Sequence, residues 1–152
     1  MNDKRPLSRG LRNRNPGNIR RSGVRYKGEC ARSTDAEFRQ FESMEWGYRA
    51  MFVLLHTYSR KHGCRTVRDM ISRYAPPSEN DTEAYIRRVE SVSHIGAREV
   101  IDTLDGNTMT AVVAAMSEVE NGVKAVPAEV RQGWLLFAED FGGGNGRHVR
   151  ED

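Results

Sequence analysis

An apolar helical run that ends in an acid is the strongest constraint on how this chain folds. Met109, Val112, Val113 and Met116 recur at the spacing of one helix face. Glu120 lies four residues beyond Met116 and continues that face. Asn121-Gly122 then supplies a stop, because both residues tolerate left-handed backbone angles. The pattern predicts a buried helix starting near Asn107 or Thr108, whose last turn aims a carboxylate inward. Desolvation raises the pKa of such a group, and the negative end of the helix dipole raises it further. Both effects favour a proton held near neutral pH, as a general acid requires. The alternative is a Glu that rotates to solvent at a frayed helix end.

The same grammar runs through the middle of the chain. Ser43 reads as the cap of a helix in which Gly47, Met51, Leu54, Leu55 and Tyr58 share a face, ending near His62-Gly63. Thr66 with Asp69 starts a short helix over Val67–Tyr74, which Pro76-Pro77 stops. Asn80 with Glu83 starts another, with Tyr85, Ile86 and Val89 on its apolar side, and a weaker helix is expected over Ala97–Leu104. Pro127 suits the first position of a last helix with Val130, Trp134 and Phe137 inward. Residues 10–41 are rich in Gly, Asn and Arg and read as loop with a short hairpin, Arg25–Gly28 against Glu37–Phe41. The fold class is mainly α (α+β): a flexible basic arm at 1–9, a single domain at 10–141 with a small β/loop lobe, and a Gly-rich tail at 142–152. A cleft between lobe and helices is the natural ligand site.

Residues 1–32 hold ten Lys/Arg against two acids, and the remainder fourteen against nineteen, within a net charge of +3. The basic start suggests an acidic partner: nucleic acid, anionic lipid or an acidic polymer. No nucleic-acid module and no aromatic interleaving accompany it, which disfavours nucleic acid. No apolar run approaches the length of a membrane span, and no apolar signal segment follows the basic start. Synthesis in the cytoplasm without a signal peptide is therefore expected. Cys30 and Cys64 form no metal or disulfide pattern, and the four histidines have no ligand spacing, so no metal or cofactor is implied.

Three asparagines surround Pro16-Gly17 in Arg12-Asn13-Arg14-Asn15-Pro16-Gly17-Asn18-Ile19-Arg20. Such a stretch forms a turn whose side chains bond back to its backbone, leaving peptide groups that can meet sugar amides and hydroxyls. Asn15-Pro16-Gly17-Asn18-Ile19-Arg20 resembles the Asn-Leu-Phe-Gly-Ile-Lys type segment of bacterial and phage glucosaminidases with a lysozyme-like fold. Tyr26-Lys27-Gly28, Phe38-Arg39-Gln40-Phe41-Glu42-Ser43 and Arg73-Tyr74-Ala75-Pro76-Pro77 through Ala84-Tyr85 resemble further segments of those enzymes, in the family's order. The similarity spans about residues 12–90. The chain is also similar to small phage and prophage proteins that share the Asn-Pro-Gly-Asn-Ile-Arg segment, which are described as virion structural proteins.

In the glucosaminidases the catalytic helix, ending Glu-Ser/Thr-Gly, precedes the Asn-rich loop. Here Glu120-Asn121-Gly122 follows it, and a circular permutation that keeps the helix in its place accounts for the order. The resemblance implies a peptidoglycan-cleaving enzyme acting on β-1,4 bonds between amino sugars (a muramidase, glucosaminidase or lytic transglycosylase). The other reading is a non-enzymatic virion or wall-binding protein. Glu120 would be the general acid, with Glu29 the first candidate for a second carboxylate and Asp35 and Glu37 in reserve. Asn15, Asn18 and Ile19 would line sugar subsites, and Tyr74 and Tyr85 would orient reacting groups. The expected partners are peptidoglycan glycan strands and other virion proteins, met by a monomer that acts on the periplasmic or cell-wall polymer.

Overall fold

The computed structural model describes residues 7–142. Residues 1–6 of the expected arm, and the expected tail beyond Gly142, lie outside the described residues. Six helices occur among the described residues: α1 (Arg9–Arg12), α2 (Met44–His62), α3 (Val67–Tyr74), α4 (Thr82–Ser93), α5 (Gly106–Asn121) and α6 (Pro127–Phe141). The protein is mainly helical, with pairing of β type confined to isolated bridges in this region.

The start and stop signals act as their chemistry dictates. Ser43 accepts from the Trp46 N–H, and Gly63 closes α2 at φ 68°. Thr66 and Asp69 form a reciprocal capping box at α3. Asp81, one residue after the expected Asn80, caps α4 by accepting from the Ala84 N–H at 3.0 Å. Asp105 caps α5, and Pro127 opens α6.

Two expectations are corrected. Residues 97–104 are not helical. Ala97 and Ile101 are buried four apart, which mimics a helix, but their backbones serve α3 instead. The Ala97 carbonyl accepts from Arg68 at 2.9 Å, Ile101 donates to the Arg65 carbonyl at 2.9 Å, and Thr66 bridges Val100. These contacts satisfy backbone groups around the start of α3. The hairpin of Arg25–Gly28 with Glu37–Phe41 is displaced, with residues 28–30 lying antiparallel to residues 40–42. Arg20 bridges Phe38 and Glu29 bridges Phe41, so residues 38–41 lie between two partners. Gly28, at φ 79°, turns the chain there with its Cα against Trp46.

The core is built around α2, which packs most extensively on α6, while α4 packs on α5. Residues 47–53 of α2 are all buried, so this helix has no simple single stripe. Its expected face is only part of the contact surface: Leu54 and Tyr58 are half-buried, whereas Tyr48, Phe52 and Val53 are buried. Gly133 lets α6 approach closely, since a Cβ there would lie 2.6 Å from the Tyr48 Cβ. Met109, Val112, Val113 and Met116 of α5 are fully buried, as their spacing predicts. Each such side chain contributes about 1.5–3 kcal/mol on burial.

The lobe, residues 7–41, is ordered differently. Only Ile19, Tyr26 and Phe41 join the apolar core from it. The segment from Ser8 onward belongs to the folded body, not to a free arm. Ser8 caps α1 and donates to Asn121 at 2.7 Å, and Arg9 pairs with Asp35 at 2.6 Å.

Candidate active site

Glu120 occupies the last turn of α5, half-buried, with Gly122 closing the helix at φ 73°. Asn18 donates its Nδ2 to Glu120 Oε1 at 2.9 Å. Tyr85 of α4 donates its hydroxyl to Glu120 Oε2 at 2.9 Å. Segments 102 and 35 residues away thus meet one carboxyl group. Burial pushes the Glu120 carboxyl above its ordinary value, against the opposing pull of those two hydrogen bonds. Burial, then the neighbouring Glu120 charge, pushes the Tyr74 and Tyr85 phenols well up, so both remain proton donors at neutral pH.

The loop facing Glu120 is held by its own side chains. Asn15 is fully buried, and both of its amide N–H groups are spent on backbone carbonyls. Its Oδ1 accepts from Ile19 N–H at 2.9 Å, and its Nδ2 donates to the carbonyls of Ile19 and Arg39, each at 3.0 Å. The expected subsite role of Asn15 is therefore corrected to a bracket within the loop. Asn18 sits at φ 49°, a left-handed value that Asn tolerates, and this conformation accompanies its contact with Glu120. The Asn18 Oδ1 is buried without a hydrogen-bond partner among the described residues. Ile19 is buried, which leaves it a packing residue.

Two anchors fasten this loop. Tyr74 donates its hydroxyl to the Gly17 carbonyl, and a Cβ at Gly17 would strike that phenol and Met51. Asn121 donates to the Pro16 carbonyl at 2.8 Å and to the Ser117 carbonyl at 2.9 Å, while its Oδ1 accepts from Ser8. Sequence reasoning reads Asn121 only as a helix stop. Its loop partner is 105 residues away, and no local spacing marks the contact.

Glu29 does not join this cluster. Its Oε2 accepts from Tyr26 N–H at 2.9 Å and pairs with Arg39 Nη1 at 2.8 Å. Arg39 is almost fully buried, donates also to the Arg20 and Val24 carbonyls and to Ser22, and lies over the Tyr26 ring. Glu29 is thus the counter-charge of a buried arginine. Asp35 is likewise committed, accepting from Arg9, Asn13 and the N–H groups of Glu37 and Phe38. These bonds hold its carboxyl far below the usual range, with Arg9 the largest cause. Glu37 is exposed and faces Arg9 and Arg20. Hydrolysis would call for a second carboxylate, with Glu29 the first candidate, but folding brings one carboxyl, that of Glu120, to Asn18 and Tyr85.

A separate groove of about 440 Å³ lies between α5 and α6, lined by Thr110, Ala114, Val130, Arg131 and Trp134 among others. Glu120 is not among its lining residues. Trp134 is edge-on to Phe52 at 5.1 Å, which makes it a packing residue. Among the described residues no group of three or more His, Cys, Asp or Glu could hold a metal ion. Cys30 and Cys64 are both free thiols. No described helix is long and apolar enough to cross a membrane.

The chain itself is similar to a bacteriophage protein. The chain is 38% identical over 118 residues to Protein P5 of Pseudoalteromonas phage PM2, an alignment covering 76% of this chain and 72% of that protein. The chain is therefore a member of the Protein P5 family. No defined protein-family profile matches it.

Proposed function

We propose that this phage protein is a lysozyme-like, circularly permuted glycosidase that cleaves β-1,4 bonds between amino sugars of peptidoglycan, with Glu120 as its general acid. One observation carries the reading: a half-buried carboxyl with a raised pKa sits at a helix end, held by Asn18 and Tyr85 from distant segments. A raised pKa brings a carboxyl closer to what a general acid needs in order to give a proton to a leaving-group oxygen. The glycosidic oxygen would take the place of the Asn18 amide at Oε1, because Tyr85 is the more deeply buried partner. Tyr85 would keep the carboxyl oriented, and Tyr74 would hold the loop at Gly17.

The engagement of Glu29 by Arg39 favours a route that needs one acid only. Glu120 would protonate the leaving oxygen, then accept the proton of the substrate's own C6 hydroxyl as that oxygen bonds to the anomeric carbon. The product would be an anhydro sugar, as in a lytic transglycosylase. A hydrolytic muramidase or glucosaminidase would instead need water and a second group to activate it. On this reading the protein is made in the host cytoplasm, acts on the wall polymer as a monomer and can ride in the virion with other phage proteins.

A second reading, a non-enzymatic virion or wall-binding protein, draws on a specific observation. Both Glu120 oxygens already have partners, so the carboxyl also works as a tie between the loop, α4 and α5. Mass spectrometry of digested sacculi separates the two. The enzyme yields new reducing or anhydro ends that disappear with Glu120→Gln; the structural protein yields none with either form.

A further inference from the structure

We propose that Arg12 and Arg14 form a cationic rim that binds the stem-peptide carboxylates carried by a peptidoglycan strand entering the Glu120 site. The inference rests on the peptidoglycan reading and names the charge that the substrate must carry. Residues 7–41 hold nine Lys/Arg against three acids, whereas residues 42–142 hold eleven against fifteen. The three acids of the lobe are already used: Glu29 by Arg39, and Asp35 and Glu37 by Arg9 and Arg20. Arg12 and Arg14 are exposed and make no ion pair or side-chain hydrogen bond with any described residue.

Their outward direction is built in. Asn13 and Asn15, the alternate residues, are buried. Asn13 donates to Asp35 at 3.0 Å and accepts from Gln40 at 2.9 Å, and Asn15 brackets the loop. With the asparagines fastened inward, the arginines project to solvent. Arg14 adopts φ 50°, and its carbonyl lies where a Cβ on Gly47 would be, so the backbone at this point is fixed by α2. Asn15 to Asn18 follow directly and lead to Glu120.

The chemistry favours a carboxylate polymer over single-stranded nucleic acid, and duplex DNA is left to the test below. Base stacking needs an open aromatic face. Tyr26 is buried beneath Arg39, and Phe38 is covered by Arg9 and Arg20 at 4.6 and 5.0 Å. The rim can therefore attract charge but has no ring to offer a base.

The test is co-sedimentation of the full chain, carrying Glu120→Gln so that nothing is cleaved, with three probes: native sacculi, sacculi whose carboxyls are capped as neutral amides, and duplex DNA. Binding to native sacculi should fall about tenfold on capping, and by a similar factor with Arg12→Gln/Arg14→Gln, since each exposed contact is modest. Arg12→Lys/Arg14→Lys should retain most of the binding, and added salt should weaken it. Equal binding to native and capped sacculi overturns the rim, and so does binding to DNA that is tighter than to sacculi and lost in the double variant. Cleavage by the unmutated protein is scored separately. Cleavage with charge-independent binding sinks the rim alone, and charge-dependent binding without cleavage sinks the enzyme alone.

Discussion

The helical body and the loop lobe are ordered by different forces. In the body, apolar side chains from α2, α5 and α6 share one core, and Phe137 alone touches Phe52, His56, Trp134 and Phe141 rings. In the lobe, a few polar hubs do the work: Asn15, Asp35 and Arg39 gather backbone and side-chain groups that would otherwise be unpaired. Apolar packing is spread over many contacts, whereas a hub concentrates order in one residue. The candidate site lies on the seam. The body supplies Glu120 and Tyr85 on rigid helices, and the lobe supplies Asn18 on a loop fastened by Asn15, Tyr74 and Asn121.

The comparison can be broken from either side. Phe137→Ala should cost about 3–5 kcal/mol in denaturant unfolding and destabilise the whole molecule. Glu29→Gln should cost about 3–5 kcal/mol, because it leaves the buried Arg39 charge without its counter-ion, with turnover per folded molecule unchanged. A loss of turnover without a loss of stability would return Glu29 to the chemistry. Asn15→Ala should cost less, about 1–3 kcal/mol, because it leaves buried backbone groups unpaired and opens no large cavity. Its signature is local: hydrogen exchange should rise at Ile19 and Arg39 while the middle of α2 stays protected. A uniform rise would mean that lobe and body are one cooperative unit.

The smallest effect is the response to pH, which has opposite signs in the two regions. Asp35 is held below its unfolded value, so its contribution is present above that value and is lost as pH falls below about 4. Glu120 is held above its unfolded value, so its contribution is full in acid and is lost as pH rises from about 4 toward its folded value. Thermal midpoints across this range should show Asp35→Asn removing the acid loss and Glu120→Gln removing the fall on the other side. Two variants with the same pH profile would contradict the assignment.

The body was largely legible because its signals are local. Apolar spacing and caps lie within a few residues, so α3 has its expected bounds and α5 starts one residue before Asn107. The segment 97–104 misled because burial four apart arises in any chain that serves a neighbouring backbone. The lobe was hardly legible. Asn15 does bond back to the backbone at Ile19, as the Asn-rich turn leads one to expect, but four-residue α1, the two bridges, the Asn15 contact with Arg39 and the role of Asn121 depend on partners far along the chain. Within the site, the expected meeting of Glu120 with the Asn15–Ile19 loop and Tyr85 takes place through Asn18 and Tyr85, while Glu29 is drawn away by Arg39, whose burial no local pattern announces.

The central claim is that Glu120 is a proton donor to a glycosidic bond and not only a tie across the seam. Mass spectrometry of sacculi treated with the unmutated protein and with Glu120→Gln, at matched folded concentration, tests it most directly. The account predicts anhydro-ended fragments from the first and none from the second. Equal fragment yields from both proteins, or no fragments from either, would contradict it.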